Sequence, residues 1–130
     1  MRILTLRTDK EVSEIGLYDV KKQLDYISWQ AHRKLAETIH IQINKLLDRS
    51  SIDLGNIQGI VVYKGPGSFT GLRIGLSVAN ALAYSLNVPV VGENGDGWVE
   101  AGIIKLIGGQ NHKIVLAHYG EPAKTTMPSK

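Results

Sequence analysis

Residues 65–75 read GPGSFTGLRIG, with four glycines in eleven positions. Just upstream, residues 57–63 are nearly continuous apolar sequence, the pattern of a buried central strand. Downstream, apolar residues recur at three- and four-residue spacing as far as Asn87, the pattern of a helix. The stretch is therefore a strand-to-helix turn. Its glycines serve one of two ends: a backbone cradle for phosphate, or a place where another backbone comes close.

The phosphate reading fails on the residues. A glycine-rich turn entering a helix does offer free N–H groups and the positive end of the helix dipole. A Walker loop, however, needs a Lys after its last glycine, and here Gly71 is followed by Leu72 and Arg73. The dinucleotide pattern GxGxxG fails too, because Gly67 is followed by Ser68, Phe69 and Thr70 before Gly71. Pro66 also removes one donor.

The close-approach reading leads into the helix. At about 100° per residue, Gly71, Gly75, Ala79 and Ala83 form one ridge of small side chains. Ile74, Val78, Ala81 and Leu82 lie on one side of it, Leu72, Leu76 and Leu86 on the other. Arg73, Ser77, Asn80, Tyr84 and Asn87 make only a narrow polar stripe. The apolar arc is roughly twice what a helix lying on a sheet requires. Either a neighbouring helix of the same domain covers the excess, or part of it meets another protein.

Working outward, residues 2–8, 13–19 and 24–29 read as three strands of an antiparallel start. A first helix is expected from about 28–32 to Asp48, with Leu35, Ala36, Ile39, Ile43, Leu46 and Leu47 on its apolar face and His32 at the start of it. Ile41 is stranded on the opposite face among Lys34, Glu37, Asn44 and Lys45. A short strand at 88–91, a loop at 94–97, a short helix at 98–107 and a last strand at 113–118 follow, then a polar tail from Tyr119. This order predicts a mixed α/β sheet flanked by helices.

The composition fits one domain of 130 residues, 43% apolar and 21% charged. With no cysteine, disulfides and thiolate metal sites are excluded, and a reducing cytoplasmic setting is the expectation. No apolar run approaches the roughly 20 residues of a membrane span, so no membrane partner is expected. The start, MRILTLRTDK, reads as the first strand and not as a signal peptide. Net charge is +3, from 15 basic and 12 acidic residues, and the basic ones are scattered, which disfavours direct nucleic-acid binding. The four histidines, His32, His40, His112 and His118, show no metal-ligand spacing. Ser68 lies outside a GxSxG elbow, with no evident base. No catalytic, cofactor or metal residue is expected.

GPGSFTGLRIG after a buried strand, followed by a small-residue helix and VPVVG, resembles the TsaB (YeaZ) family over roughly the first hundred residues. The family's members are subunits of the bacterial complex that makes threonylcarbamoyladenosine in tRNA. The resemblance implies an actin-like (ASKHA, ribonuclease H-like) N-terminal lobe over residues 1–108, with residues 109–130 as a final strand and tail. It implies a non-catalytic scaffold whose helices pair with the catalytic TsaD subunit or with a second copy, in a complex that includes the ATPase TsaE and meets tRNA indirectly. On that basis the interaction residues are expected to be Gly65, Pro66, Gly67, Ser68, Phe69, Thr70, Gly71, Arg73, Gly75 and Ala79, with Ile41 on the first helix. A small nucleotide-binding hydrolase or glycoprotease-like enzyme, and a homodimeric module with another partner, stand as alternatives.

Two departures from the family stand out. Its first strand usually ends in Asp, which in actin-like ATPases helps hold metal and phosphate; here Arg7 takes that place, followed by Thr8 and Asp9. The family also carries a second lobe, whereas this sequence passes from Ile107 almost directly to a tail, YGEPAKTTMPSK, that resembles the family's C-terminal end. The expectation is a compact form without most of that lobe.

Overall fold

Alternation along Arg2–Arg7 (β1) sends Leu4 and Leu6 to one side of the strand and Ile3 to the other, all fully buried. A strand covered on both faces belongs in the middle of a sheet. In the computed structural model, which describes residues 1–118, β1 is the centre of a five-stranded sheet. Val12–Asp19 (β2) and Lys22–Gln30 (β3) follow β1 as an antiparallel meander. Gly59–Tyr63 (β4) pairs parallel to the other edge of β1, and Val90–Glu93 (β5) parallel to β4, giving the order β3-β2-β1-β4-β5. The expected mixed sheet is present.

Parallel neighbours need crossovers, and helices supply them. Leu35–Arg49 (α1) and Phe69–Leu86 (α2) cover one face, where Ile39, Ile43 and Leu46 of α1 and Leu76, Ala79 and Ala83 of α2 meet Leu4, Leu6, Ile15, Leu17, Ile60 and Val62. Each fully buried Leu or Ile there contributes about 1.5–3 kcal/mol relative to exposure. Trp98–Ile107 (α3) covers the opposite face of β4 and β5, with Trp98, Ile103 and Leu106 on Val61, Tyr63 and Val91. Asn87, at φ 58°, ends α2 by adopting the left-handed conformation, and Val88 N–H closes back to the Ala83 carbonyl.

Four expectations need correction. The first helix does not begin at 28–32: β3 continues to Gln30, His32 turns the chain at φ 48°, and a 3-10 turn precedes Leu35. His32 is therefore exposed in that turn and not on the apolar face. Ala36 is exposed beside the groove between α1 and α2. Residues 113–118 form no strand, because Val115 gives its N–H and C=O to the Asn80 side chain (2.9 and 3.0 Å) instead of to β5. The tail expected from Tyr119 lies outside the described residues.

Candidate functional site

The C-terminal ends of β1 and β4 lie side by side, and the glycine loop passes between them and α2. The Ser68 N–H donates to the Asp9 carbonyl at 3.1 Å, and the Thr8 hydroxyl to the Gly71 carbonyl at 2.7 Å. A Cβ at Gly67 would collide with the Asp9 side chain, one at Gly71 with the Thr8 carbonyl, and one at Gly75 with Thr8 Oγ1. Gly65, at φ 115°, adopts a backbone conformation that side chains disfavour, and the His118 carbonyl lies where its Cβ would be. The glycines thus serve close backbone approach. The neighbours they admit lie in the same chain: Thr8 and Asp9, just past β1, for Gly67, Gly71 and Gly75, and the His118 carbonyl for Gly65.

Of the residues expected to interact, Gly65, Gly75 and Ala79 are buried within the fold and Gly71 is half-buried. Pro66, Gly67, Ser68, Phe69, Thr70 and Arg73 are exposed along the loop and the first turns of α2, and the Arg73 guanidinium lies 5.2 Å from the centre of the Phe69 ring. Ile41 is 61% exposed on the outer side of α1. Between the two helices runs a groove of about 460 Å³, lined by Ala36, His40, Thr70, Arg73, Ile74 and Ser77 among others. A wider cleft of about 1000 Å³ opens at the N-terminal ends of both helices, where Lys10, Arg33, Lys34, Glu11, Ser68 and Thr70 are among the lining residues.

Arg7 sits at the strand end where the family's Asp is expected. Its Nε donates to Asp9 Oδ1 at 2.8 Å and its second guanidinium nitrogen to Oδ2 at 3.3 Å. The guanidinium also stacks on the Tyr63 ring, 3.8 Å from the centre. Tyr63 is held in turn by its hydroxyl donating to the Pro66 carbonyl (3.0 Å) and by an edge contact with Trp98. Burial works against the Arg7 charge, but the hydrogen bond and charge of Asp9 outweigh it, so the guanidinium titrates above its ordinary value. The Asp9 carboxylate is already paired, and Glu14 of β2 lies opposite Arg7 and adds to the field that favours its charge. Among the described residues, no group of three His, Asp or Glu is arranged to hold a metal.

The sequence reading singled out Arg7 but missed Tyr63 and the Asp9 pairing. Tyr63 is just the last residue of an apolar run, and its role depends on β4 lying beside β1. Nothing local announces that register.

The family described as "TsaD: tRNA N6-adenosine threonylcarbamoyltransferase" matches residues 29–117. Among curated relatives, the threonylcarbamoyltransferase of Clostridioides difficile is 36% identical over 70% of this chain and 31% of its own length. The TsaB biosynthesis protein of Escherichia coli is 32% identical over 71% of this chain and 39% of its own. Of solved structures, YeaZ from Pseudomonas aeruginosa superposes with TM-score 0.67 at 29% identity, covering 72% of this chain and 43% of that one. RuvC of Thermus thermophilus shares the fold alone, with TM-score 0.54 at 14% identity. The chain spans less than half the length of these curated relatives and of YeaZ. It belongs to the TsaD family in the broad sense that takes in TsaB (YeaZ).

Proposed function

We propose that the chain acts in the formation of threonylcarbamoyladenosine in tRNA as a non-catalytic scaffold, docking and activating a TsaD-type subunit. The observation that carries this reading is Arg7. A guanidinium paired with Asp9 and stacked on Tyr63 occupies the strand end where a metal- or phosphate-holding carboxylate would stand. A fixed cation there repels a metal ion, and the carboxylate nearest to it, Asp9, is engaged in the ion pair.

The docking face is the outer side of α1 and α2. Large apolar side chains stand exposed across it, with Ile41 on α1 and Phe69 and Tyr84 on α2, and the groove between the helices gives it relief. In the absence of TsaD the same face pairs with a second copy. The TsaE-type ATPase joins through the assembled complex, and tRNA is reached through TsaD.

Two measurements test the reading. The chain is expected to co-purify with a TsaD-type protein, and failure to do so overturns the scaffold role. Calorimetric titration of the isolated chain with Mg-ATP is expected to show no tight binding and no turnover; micromolar affinity favours the nucleotide-binding hydrolase instead.

A further inference from the structure

We propose that residues 111–118 are a hinged strap, latched by Asn80, that closes over the outer edge of β5 and shields it from pairing with β5 of a second copy. β5 is the last strand of the sheet, so Val90 and Gly92 point their backbone groups away from β4. In place of a sixth strand, two side chains and one backbone amide meet them. The Val90 N–H donates to Asn111 Oδ1 (3.1 Å), the Gly92 N–H to His112 Nδ1 (3.1 Å), and the His112 N–H to the Val90 carbonyl (2.9 Å). The Asn80 amide then brackets both backbone groups of Val115, and the His118 N–H reaches the Lys64 carbonyl at 2.7 Å.

The strap is lightly held. Val115 is its one large buried side chain, lying against Gly92, while Ile114 and Leu116 are 66% and 77% exposed. Lys113 stands at φ 68°, a strained conformation for a residue with a side chain, and Gly109 at φ 87° turns the chain just ahead of it. Few apolar contacts and backbone bonds made largely to side chains are the conditions for local opening ahead of global unfolding.

An opened strap uncovers a short apolar edge, Val90–Glu93, whose unpaired groups template strand addition. A second copy fits it. Two identical edges meet antiparallel about a two-fold axis, and Glu93 raises no like-charge barrier because Lys105 Nζ lies 2.7 Å from its carboxylate, though outside hydrogen-bonding geometry.

Native-state hydrogen exchange on the full chain tests the strap. The amides of Val90, Gly92, Val115 and His118 are expected to exchange at least about tenfold faster than those of Leu4 and Val62 at the sheet centre. In Asn80→Ala they lose about a further tenfold of protection while the centre is unchanged. The variant gains an association step in sedimentation velocity, and in the associated form Val90 and Gly92 recover protection but Val115 and His118 do not. Exchange of all these amides at one common rate in the wild type overturns the strap. Opening in Asn80→Ala without any new association overturns the shielding. Should that variant fail to fold, Asn111→Ala, at an exposed position, makes the same test at Val90.

Discussion

The inner face of α2 carries a ridge of small residues flanked by the buried Leu72 and Leu76, which its outer face lacks. Toward the sheet, Gly71, Gly75, Ala79 and Ala83 let the helix settle onto the end of β1, where Thr8 occupies the space a Cβ would need at either glycine. Away from it, Arg73, Ser77 and Tyr84 face outward, Tyr84 at 91% exposure. A ridge of small residues marks a neighbour too near for side chains, and that neighbour here is intramolecular. An exposed large apolar residue marks a surface that nothing in the described chain covers. The partner reading therefore belongs to the second kind of residue.

Substitutions can break or sharpen this contrast. Gly71→Ala has the largest expected effect, because its methyl would meet the Thr8 carbonyl, which moves only with the backbone. A loss of about 2–3 kcal/mol is expected in denaturant unfolding. Gly75→Ala comes next. Its methyl meets the Thr8 hydroxyl, which must give up its bond to Gly71, while better helix propensity returns about 0.5–1 kcal/mol. The net loss expected is about 1–2 kcal/mol, and a double-mutant cycle with Thr8→Ala should recover at least about 0.5 kcal/mol of it. If Gly75→Ala instead raises the melting temperature and weakens association, the inner face is a partner surface after all.

On the outer face, Ile41→Glu should change stability by no more than about 0.5 kcal/mol. It should weaken self-association or TsaD binding measured by sedimentation. Unchanged binding would make Ile41 an ordinary surface residue.

The smallest effect lies where α1 is tied to β3. Arg49 donates to both oxygens of Asp25, at 2.9 and 2.6 Å, and this hydrogen bonding holds the Asp25 carboxyl below its ordinary range. A lowered acid contributes stability above its unfolded value, near about 3.9, and loses it as pH falls toward the folded one. Melting curves of the wild type and Arg49→Gln should differ slightly at neutral pH and converge below about pH 4. A gap that persists in acid would mean that Arg49 acts by packing.

The strands and α1–α3 were legible because each carries its own period: Leu4 and Leu6 alternate along β1, and Ile39, Ile43 and Leu46 recur along α1. The start of α1 was not legible, since the Ala36–Ile39–Ile43 spacing extends smoothly back into residues that β3 claims by pairing with β2. The strand expected at 113–118 failed for a different reason. Its alternation is real, with Val115 inside and Ile114 and Leu116 outside, but a single amide, Asn80, 35 residues away, outcompetes the β5 backbone. Half of the candidate site was readable as an oddity, Arg7 in place of an acid. Its consequence depends on Tyr63 and Asp9, which only the folded register brings together.

That trio also bears on which substitutions the strand end can accept. Asp9 is 7% exposed, and Arg7 supplies its ion pair. Changing Arg7 to Asp would set two carboxylates against each other under the Tyr63 ring and strand the buried one, a change that is strongly destabilising. An acidic strand end is therefore out of reach of any single substitution here and needs Asp9 to change first. Arg7, Asp9 and Tyr63 are locked together, so a change at one of them is felt as a cost at the other two.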